Sequence, residues 1–190
     1  MREIEIKARV DSSSAVIDVL KADGLTVTKP VTHHDVVYGP KGVDGADPDN
    51  DAPWLRIRGE TKDGKTTHCF TLKKSVTNQL DSIEHETIID DPGELAAIIS
   101  HLGFTLYSDL TKTRQKVHMG DTELCLDTLD GLGSFVEAER MVGDDDVDYE
   151  AVVAELWTLL GKYGISSASE VTEGYDVLMN AHLEKLVQAK

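Results

Sequence analysis

Acidic and basic side chains alternate with apolar ones in several short stretches of this chain, and the charges keep to one side. The opening "EIEIK" is the first case. Read as an extended strand, it sets Glu3, Glu5 and Lys7 on one face and Ile4, Ile6 and Ala8 on the other. "WLRIRGE" does the same with Arg56 and Arg58 against Leu55 and Ile57. "CFTLKK" joins Lys73 to Thr71 and Cys69, opposite Phe70 and Leu72. "SIEHETII" groups Glu84 with Glu86, and "LTKTRQKV" groups Lys112, Arg114 and Lys116. "ELCLDTL" opposes Asp127 to Leu124 and Leu126, and "SFVEAER" pairs Glu137 with Glu139. Carboxylates without companion Cys or paired His ligands are hard oxygen donors and suit Mg²⁺ or Mn²⁺. Arginines take phosphate oxygens through a two-pronged fork and lysines as point charges. Strands of acids beside strands of bases are what a site for both metal ions and a polyphosphate requires.

One such strand taken alone reads as an edge strand with its charges in water. Taken together the strands read differently, because solvated faces would mix Ser, Thr, Gln and Asn and scatter their signs. The elements that must position these residues are about eight strands: 2–9, 33–38, 54–59, 66–74, 82–89, 111–118, 122–129 and 134–141. That number is enough to close a barrel. Four amphipathic helices are expected. The first lies in 11–24, with serine caps, an apolar face of Ala15, Val16, Val19 and Leu20, and Gly24 as its stop. The second lies in 91–104, begun by Pro92 and ended by Gly103. The third, in 148–164, carries Val152, Val153, Leu156, Leu159, Leu160 and Tyr163, and the fourth, in about 174–190, carries Leu178, Leu183 and Leu186. The strands' apolar sides are the only large partner for these helices, so the helices should coat the barrel and the charges should line it. The expected architecture is α+β: a closed eight-stranded antiparallel barrel with a charged lumen, in a single domain spanning 1–190.

Composition narrows the partners. The 190 residues are 40% hydrophobic and carry a formal net charge of −16, which argues against nucleic acid and anionic membranes. Any polyanion must therefore find a local basic site inside an acidic protein. Cys69 and Cys125 are isolated and expected to be reduced, no secretory signal or membrane span is legible, and the cytoplasm is the expected compartment. Asp47, Asp49 and Asp51 alternate as in a calcium loop, but Ala52 and Arg58 stand where an EF-hand needs Gly and Glu. The long segment "GPKGVDGADPDNDAP" reads as a hairpin loop, and "GDDDVDYE" as a loop and helix start where acids suit the positive end of the dipole.

The ordered set "EIEIK", "LRIR", "TLK", "EHE", "KTR", the Asp of "LDTLDGLGSF", and "VEAE" resembles the CYTH family, the triphosphate tunnel metalloenzymes, over residues 1 to about 180. That family includes class IV adenylyl cyclases and thiamine or inorganic triphosphatases, and "LDGLGSFVEAE" is most similar to the small cyclase-type members. The resemblance implies a metal cage of Glu3, Glu5, Glu137 and Glu139 for Mg²⁺ or Mn²⁺. It implies phosphate contacts from Lys7, Arg56, Arg58, Lys73, Lys112 and Arg114; Lys116 reads either as a residue of the barrel mouth or as a solvated base. Glu84, Glu86 and Asp127 are expected to orient these bases or hold a second metal. Many relatives carry Lys-Ser-Tyr near the C-terminus, where this chain has Glu173 and keeps Tyr175 alone; an Arg often found beside the acids of the fifth strand is replaced by Ile83 and His85.

The expected function is a metal-dependent enzyme acting on a triphosphate: ATP, thiamine triphosphate or tripolyphosphate. Conversion of ATP to cyclic AMP and pyrophosphate is favoured. The alternatives are a triphosphatase releasing phosphate and a non-catalytic triphosphate or polyphosphate sensor. Adjacent His33 and His34 point to opposite sides of their strand, so at most one faces the lumen, and His68 is a third candidate base. Trp54, Trp157 and Tyr163 are assigned to packing between helices and barrel. The family often forms dimers, which makes a second copy of this chain a partner to test.

Overall fold

A computed structural model describes residues 2–43, 52–143 and 147–188 of the chain. The strands are β1 (Arg2–Val10), β2 (Val31–Pro40), β3 (Trp54–Lys62), β4 (Lys65–Asn78), β5 (Asp81–Ile89), β6 (Phe104–Met119), β7 (Thr122–Leu129) and β8 (Gly133–Val142). The helices are α1 (Ser13–Ala22), α2 (Pro92–His101), α3 (Tyr149–Gly161) and α4 (Tyr175–Gln188), with one 3₁₀ turn at Ser167–Ser169. The eight strands form a closed antiparallel barrel in the order β1-β5-β4-β3-β2-β6-β7-β8, with the four helices outside it. Asp47, Asp49 and Asp51, and residues 144–146 of the acidic run, lie outside the described residues.

Two compact units make up the chain, the first Met1–Val31 with Lys112–Thr172, the second Thr32–Thr111 with Glu173–Lys190. In the first unit the apolar sides of four strand segments meet two helices. Ile4, Ile6 and Ala8 of β1, Val117 of β6, Leu124 and Leu126 of β7, and Val136 and Ala138 of β8 form one cluster with Ile17 and Leu20 of α1 and Leu156 and Leu160 of α3. Each large side chain so covered contributes about 1.5–3 kcal/mol. Trp157 and Tyr163 pack against this cluster, as expected for helix-to-barrel contacts. In α1 the buried residues are Ser13, Ile17 and Leu20, and Val19 is half exposed. The expected face of Ala15 and Val19 is thus rotated, because positions 13, 17 and 20 follow the spacing that keeps one stripe inward.

In the second unit Leu55 and Ile57 of β3 pack with Ile99 of α2, flanked by Tyr38, Phe70, Leu72, Ile89, Leu95 and Phe104. Asp91 caps α2, its Oδ1 accepting from the Glu94 N–H at 2.9 Å, with Pro92 at the helix start. Gly103 ends that helix at φ +91° and lets β6 begin at Phe104, seven residues before the expected start at 111. β3 and β4 are joined by Asp63 and Gly64, both at positive φ, the two-residue turn whose twist matches that of paired strands. The fourth helix departs from expectation. Tyr175 and Met179 are its buried residues, while Leu183 and Leu186 are 48% and 50% exposed.

These burials set a stability contrast. Leu156→Ala, which opens a cavity beneath α3, should lower the unfolding free energy by about 2–5 kcal/mol. Leu183→Ala should change it by less than about 0.5 kcal/mol. Urea unfolding followed by circular dichroism measures both.

Candidate functional site

Strand register shows how the first unit brings its charges together. Across β6, β7, β8 and β1, one row of paired residues is Arg114, Asp127, Phe135, Arg9; the next is Lys116, Cys125, Glu137, Lys7; the third is His118, Glu123, Glu139, Glu5. All three rows lie on the face turned away from α1 and α3, because the intervening residues form the apolar cluster. Asp127 is wholly buried and is the centre of the ion pairs. Its Oδ1 accepts from Arg114 Nε at 2.8 Å and its Oδ2 from Arg114 Nη2 at 2.6 Å, a two-pronged pair, while Lys112 Nζ lies 3.0 Å from Oδ2. Arg114 also donates through Nη2 to Glu137 and through Nη1 to Glu139 Oε1 at 3.2 Å. Lys7 Nζ sits 3.4 Å from both Glu5 Oε1 and Glu137 Oε1.

Burial alone would protonate these acids, so their titration records the balance of neighbours. For Asp127, burial raises the pKa but Arg114 and Lys112 outweigh it, and the carboxyl is held below its ordinary value. Glu139 goes the other way: burial, then the charges of Glu137 and Glu5, push it up to about 7 against the pull of Arg114. Burial also drives the Cys125 thiol well above its ordinary pKa. Arg114 is held well above its own, since its acidic neighbours overcome the desolvation that would lower it. Lys7, Lys112 and Arg114 face Glu5, Asp127, Glu137 and Glu139, so the carboxylates outnumber the cations when all are ionised.

A divalent cation fits that excess. Ligand oxygens of Glu5, Glu137 and Glu139 all lie within 4.8 Å of one another, and their oxygen-only chemistry matches Mg²⁺ or Mn²⁺. Glu3, the fourth residue assigned to the cage, is only half buried and pairs with Met141; it is not in this close set. A second close set, Glu123, Cys125 and Glu139, shares Glu139. Glu123 has the parity of Asp127 on β7, so the count in twos that placed Asp127 applies to it equally. Lys116 pairs with Glu123 and is about one-third exposed, in keeping with a position near the edge of the charged face.

The second unit carries the remaining bases. Across β2, β3, β4 and β5 the rows are Asp35, Arg58, Cys69, Ile88, then Val37, Arg56, Thr71, Glu86, with Trp54, Lys73 and Glu84 following. Arg58 grips Asp35 with two bonds, Nε to Oδ1 at 2.6 Å and Nη2 to Oδ2 at 2.7 Å. Asp35 was missed in the sequence because it stands alone beside two histidines. Arg56 Nη2 donates to Thr71 Oγ1 at 3.1 Å and Glu86 Oε1 at 3.3 Å, and its buried Nε has no hydrogen-bond partner among the described residues. Lys73 Nζ lies 3.0 Å from Glu84 Oε1. Burial would raise the Glu84 pKa, yet Lys73 and Arg56 prevail and hold it low.

The histidines separate as their parity requires. His33 is buried on the Asp35 side with Nε2 3.1 Å from Glu60 Oε2, and His34 points outward to Asp109 at 2.7 Å. His68 lies against Gly59 on the opposite parity from Arg58, away from the charged face. Trp54 requires a correction: it shares parity with Arg56 and Arg58, rests on the bare backbone of Gly39, and meets Tyr107 edge to face at 4.7 Å. It therefore does not join the packing beneath α2, which is made by its odd-numbered neighbours Leu55 and Ile57. Glu173 is exposed and Tyr175 buried at the start of α4, while Ile83 is half buried and His85 exposed on β5.

Comparison with known proteins agrees with this geometry. The CYTH domain model matches residues 1–175, and the chain belongs to the CYTH family. A Methanocaldococcus jannaschii protein provisionally named an adenylate cyclase is 27% identical over 175 residues, covering 92% of this chain and 97% of that one. Among solved structures, a Pyrococcus horikoshii protein superposes with a TM-score of 0.80 at 24% identity, covering 96% and 99% of the two chains. A Hippeastrum protein, provisionally named an adenylyl cyclase and described as having a dominant triphosphatase activity, superposes at 0.58 with 18% identity, covering 86% and 88%. At these identities the two superpositions establish the fold. Among the described residues no helix is long and apolar enough to cross a membrane, and both cysteines are free thiols.

The depressed acids make stability depend on pH in a defined direction. With Asp127 and Glu84 titrating lower in the native state than in the unfolded chain, their contribution is complete above their ordinary pKa values, 3.8 and 4.5, and is lost as pH falls through the native ones. The urea midpoint should therefore fall as pH drops below about 5, and Glu84→Gln should flatten that limb. At neutral pH Asp127→Asn, which takes the shared anion from two buried cations, should destabilise by about 3–5 kcal/mol.

Proposed function

We propose that this protein is a divalent-cation-dependent enzyme acting on a triphosphate, in the first instance a class IV-type adenylyl cyclase that converts ATP to cyclic AMP and pyrophosphate. One observation carries the reading: the close carboxylates of Glu5, Glu137 and Glu139 stand beside the buried bases Lys7, Lys112 and Arg114. That is the donor set of a cation together with the donor set of a phosphate chain. Glu5, Glu137 and Glu139 hold Mg²⁺ or Mn²⁺, with Glu3 available at the strand start. When bound, the ion supplies neutralisation of phosphate charge and fixes the chain for in-line attack.

The protein's own groups do the rest. Lys7, Lys112 and Arg114 take phosphate oxygens and stabilise the charge that develops as the bond breaks. Arg56, Arg58 and Lys73 have the same role in the second unit. Asp35 paired to Arg58, Glu84 to Lys73 and Arg56, Glu86 to Arg56, and Asp127 to Arg114 and Lys112 keep the side chains extended for binding. In the cyclase the ribose 3′-oxygen bonds to the α-phosphorus, its proton is lost, and the α–β bridging oxygen leaves with pyrophosphate. The relative named an adenylate cyclase supports this choice. The expected setting is a cytoplasmic enzyme, with a homodimer as the assembly to test.

A specific observation also favours a triphosphatase, in which water attacks the terminal phosphorus. Phe135, the aromatic ring on the charged face of the first unit, is fully buried with Arg9 stacked over it, so it offers no free surface to a nucleobase. The activity described for the Hippeastrum protein points the same way. Incubation with ATP, thiamine triphosphate or tripolyphosphate in Mg²⁺ or Mn²⁺, followed by product identification, separates the two: cyclic AMP with pyrophosphate, or free phosphate. Glu5→Gln combined with Glu137→Gln should reduce turnover by at least a hundredfold. Full activity in that double variant would remove the cation assignment.

A further inference from the structure

Every base on the charged faces named above is tied to a carboxylate, save one. Lys7 meets Glu5 and Glu137, Lys112 and Arg114 meet Asp127, Lys116 meets Glu123, Arg56 and Lys73 meet Glu84, and Arg58 meets Asp35. Arg9 has no carboxylate partner among the described residues, although it has the parity of Glu5 and Lys7 and lies in the Arg114–Asp127–Phe135 row. It is nevertheless held in place. Its guanidinium carbon is 4.5 Å from the centroid of the Phe135 ring, and Nη1 donates to the carbonyl of Leu132 in the β7–β8 turn.

That pose fixes the plane of the guanidinium and leaves most of its donors unused. Stacking occupies one face, the Leu132 carbonyl occupies Nη1, and the Nε and Nη2 edge remains. Such an edge is the fork that matches two oxygens of a phosphate. Gly133, at φ +97°, neighbours the guanidinium in that turn; a Cβ there would lie in ordinary contact, 3.6 Å from Nη1. Arg9 also lies one pleat repeat beyond Lys7 on the same strand, roughly 6.6 Å at the rise of an extended chain. A phosphate chain held by Lys7 and Arg114 would thus meet a further, uncompensated positive charge at the β7–β8 turn end of the face.

We propose that Arg9 is a phosphate-binding residue, taking oxygens of the polyphosphate chain at the end of the charged face beside the β7–β8 turn. The inference rests on the triphosphate reading and extends it to a residue outside the assigned set. The alternative is an arginine whose guanidinium merely covers Phe135, a role that an uncharged side chain would also fill.

Calorimetric titration of the wild-type protein with tripolyphosphate in Mg²⁺ comes first, followed by Arg9→Gln and Arg9→Met. Both variants should bind tripolyphosphate about tenfold more weakly. Their affinity for Mn²⁺ in the absence of phosphate should equal that of wild type, since Arg9 is not in the carboxylate set. Should Arg9→Gln fail to fold, Arg9→Met decides, because its apolar thioether can lie over Phe135 in place of the guanidinium. Wild-type binding with undiminished affinity in the folded variants overturns the role of Arg9 while leaving the triphosphate reading intact. No tripolyphosphate binding by wild type overturns both.

Discussion

Arg114 and Asp127 set the terms for the rest of the first unit. A guanidinium and a carboxylate taken out of water each carry a desolvation penalty of several kcal/mol, which only close, well-directed partners offset. Two parallel bonds between them, with Lys112 on the same carboxylate and Glu137 and Glu139 on the same guanidinium, supply those partners. The arrangement also dictates which side of each strand is which. If β6, β7 or β8 slipped by one residue, a charge would be driven into the cluster of Leu124, Leu126, Val136 and Leu156, so register is strongly specified.

That constraint explains why the helices lie where they do. A sheet whose inner face is ionic has its apolar face on the other side, and α1 and α3 close over it with Ile17, Leu20, Leu156 and Leu160. The stabilising apolar burial and the ionic side chains are therefore on opposite faces of the same strands, separated by one backbone. Substitutions at Leu156 act on stability; under the proposed function those at Glu5 act on chemistry. Asp127 belongs to both, since it holds the bases in place and anchors the buried network.

Much of this was legible because strand parity survives in a linear sequence. Glu5, Lys7, Lys112, Arg114, Asp127, Glu137 and Glu139 were all placed on one face by counting in twos, and the structure brings them together. What escaped was what parity does not encode. Asp35 acquires meaning only from Arg58, 23 residues away in sequence; Glu123 has the parity of Asp127, but its closeness to Glu139 comes only from the strand rows. Trp54 was assigned by residue type rather than by position, although its parity with Arg56 puts it on the charged side. In α1 the choice between Ile17 and Val19 is a rotation about the helix axis, which hydrophobicity alone leaves loose. In α4 the half-exposed Leu183 and Leu186 have helical spacing without a surface that covers them, a fact of tertiary packing.

Charge balance links the network to the proposed function. With cations and carboxylates nearly matched, the empty face is tolerable, and each base is held extended by an acid rather than free to fold away. A triphosphate with its cation would change that balance. The phosphate oxygens would compete with Asp127 and Glu137 for Arg114, while the cation would take the charge of Glu5, Glu137 and Glu139. Glu139, pushed up to about 7 first by burial and then by Glu137 and Glu5, is a carboxylate that a nearby cation would return toward its ordinary range. In the proposed enzyme an electrostatic frame of this kind would be set before the substrate arrives, so the energy of ordering it is met in folding and little reorganisation is left for the chemical step.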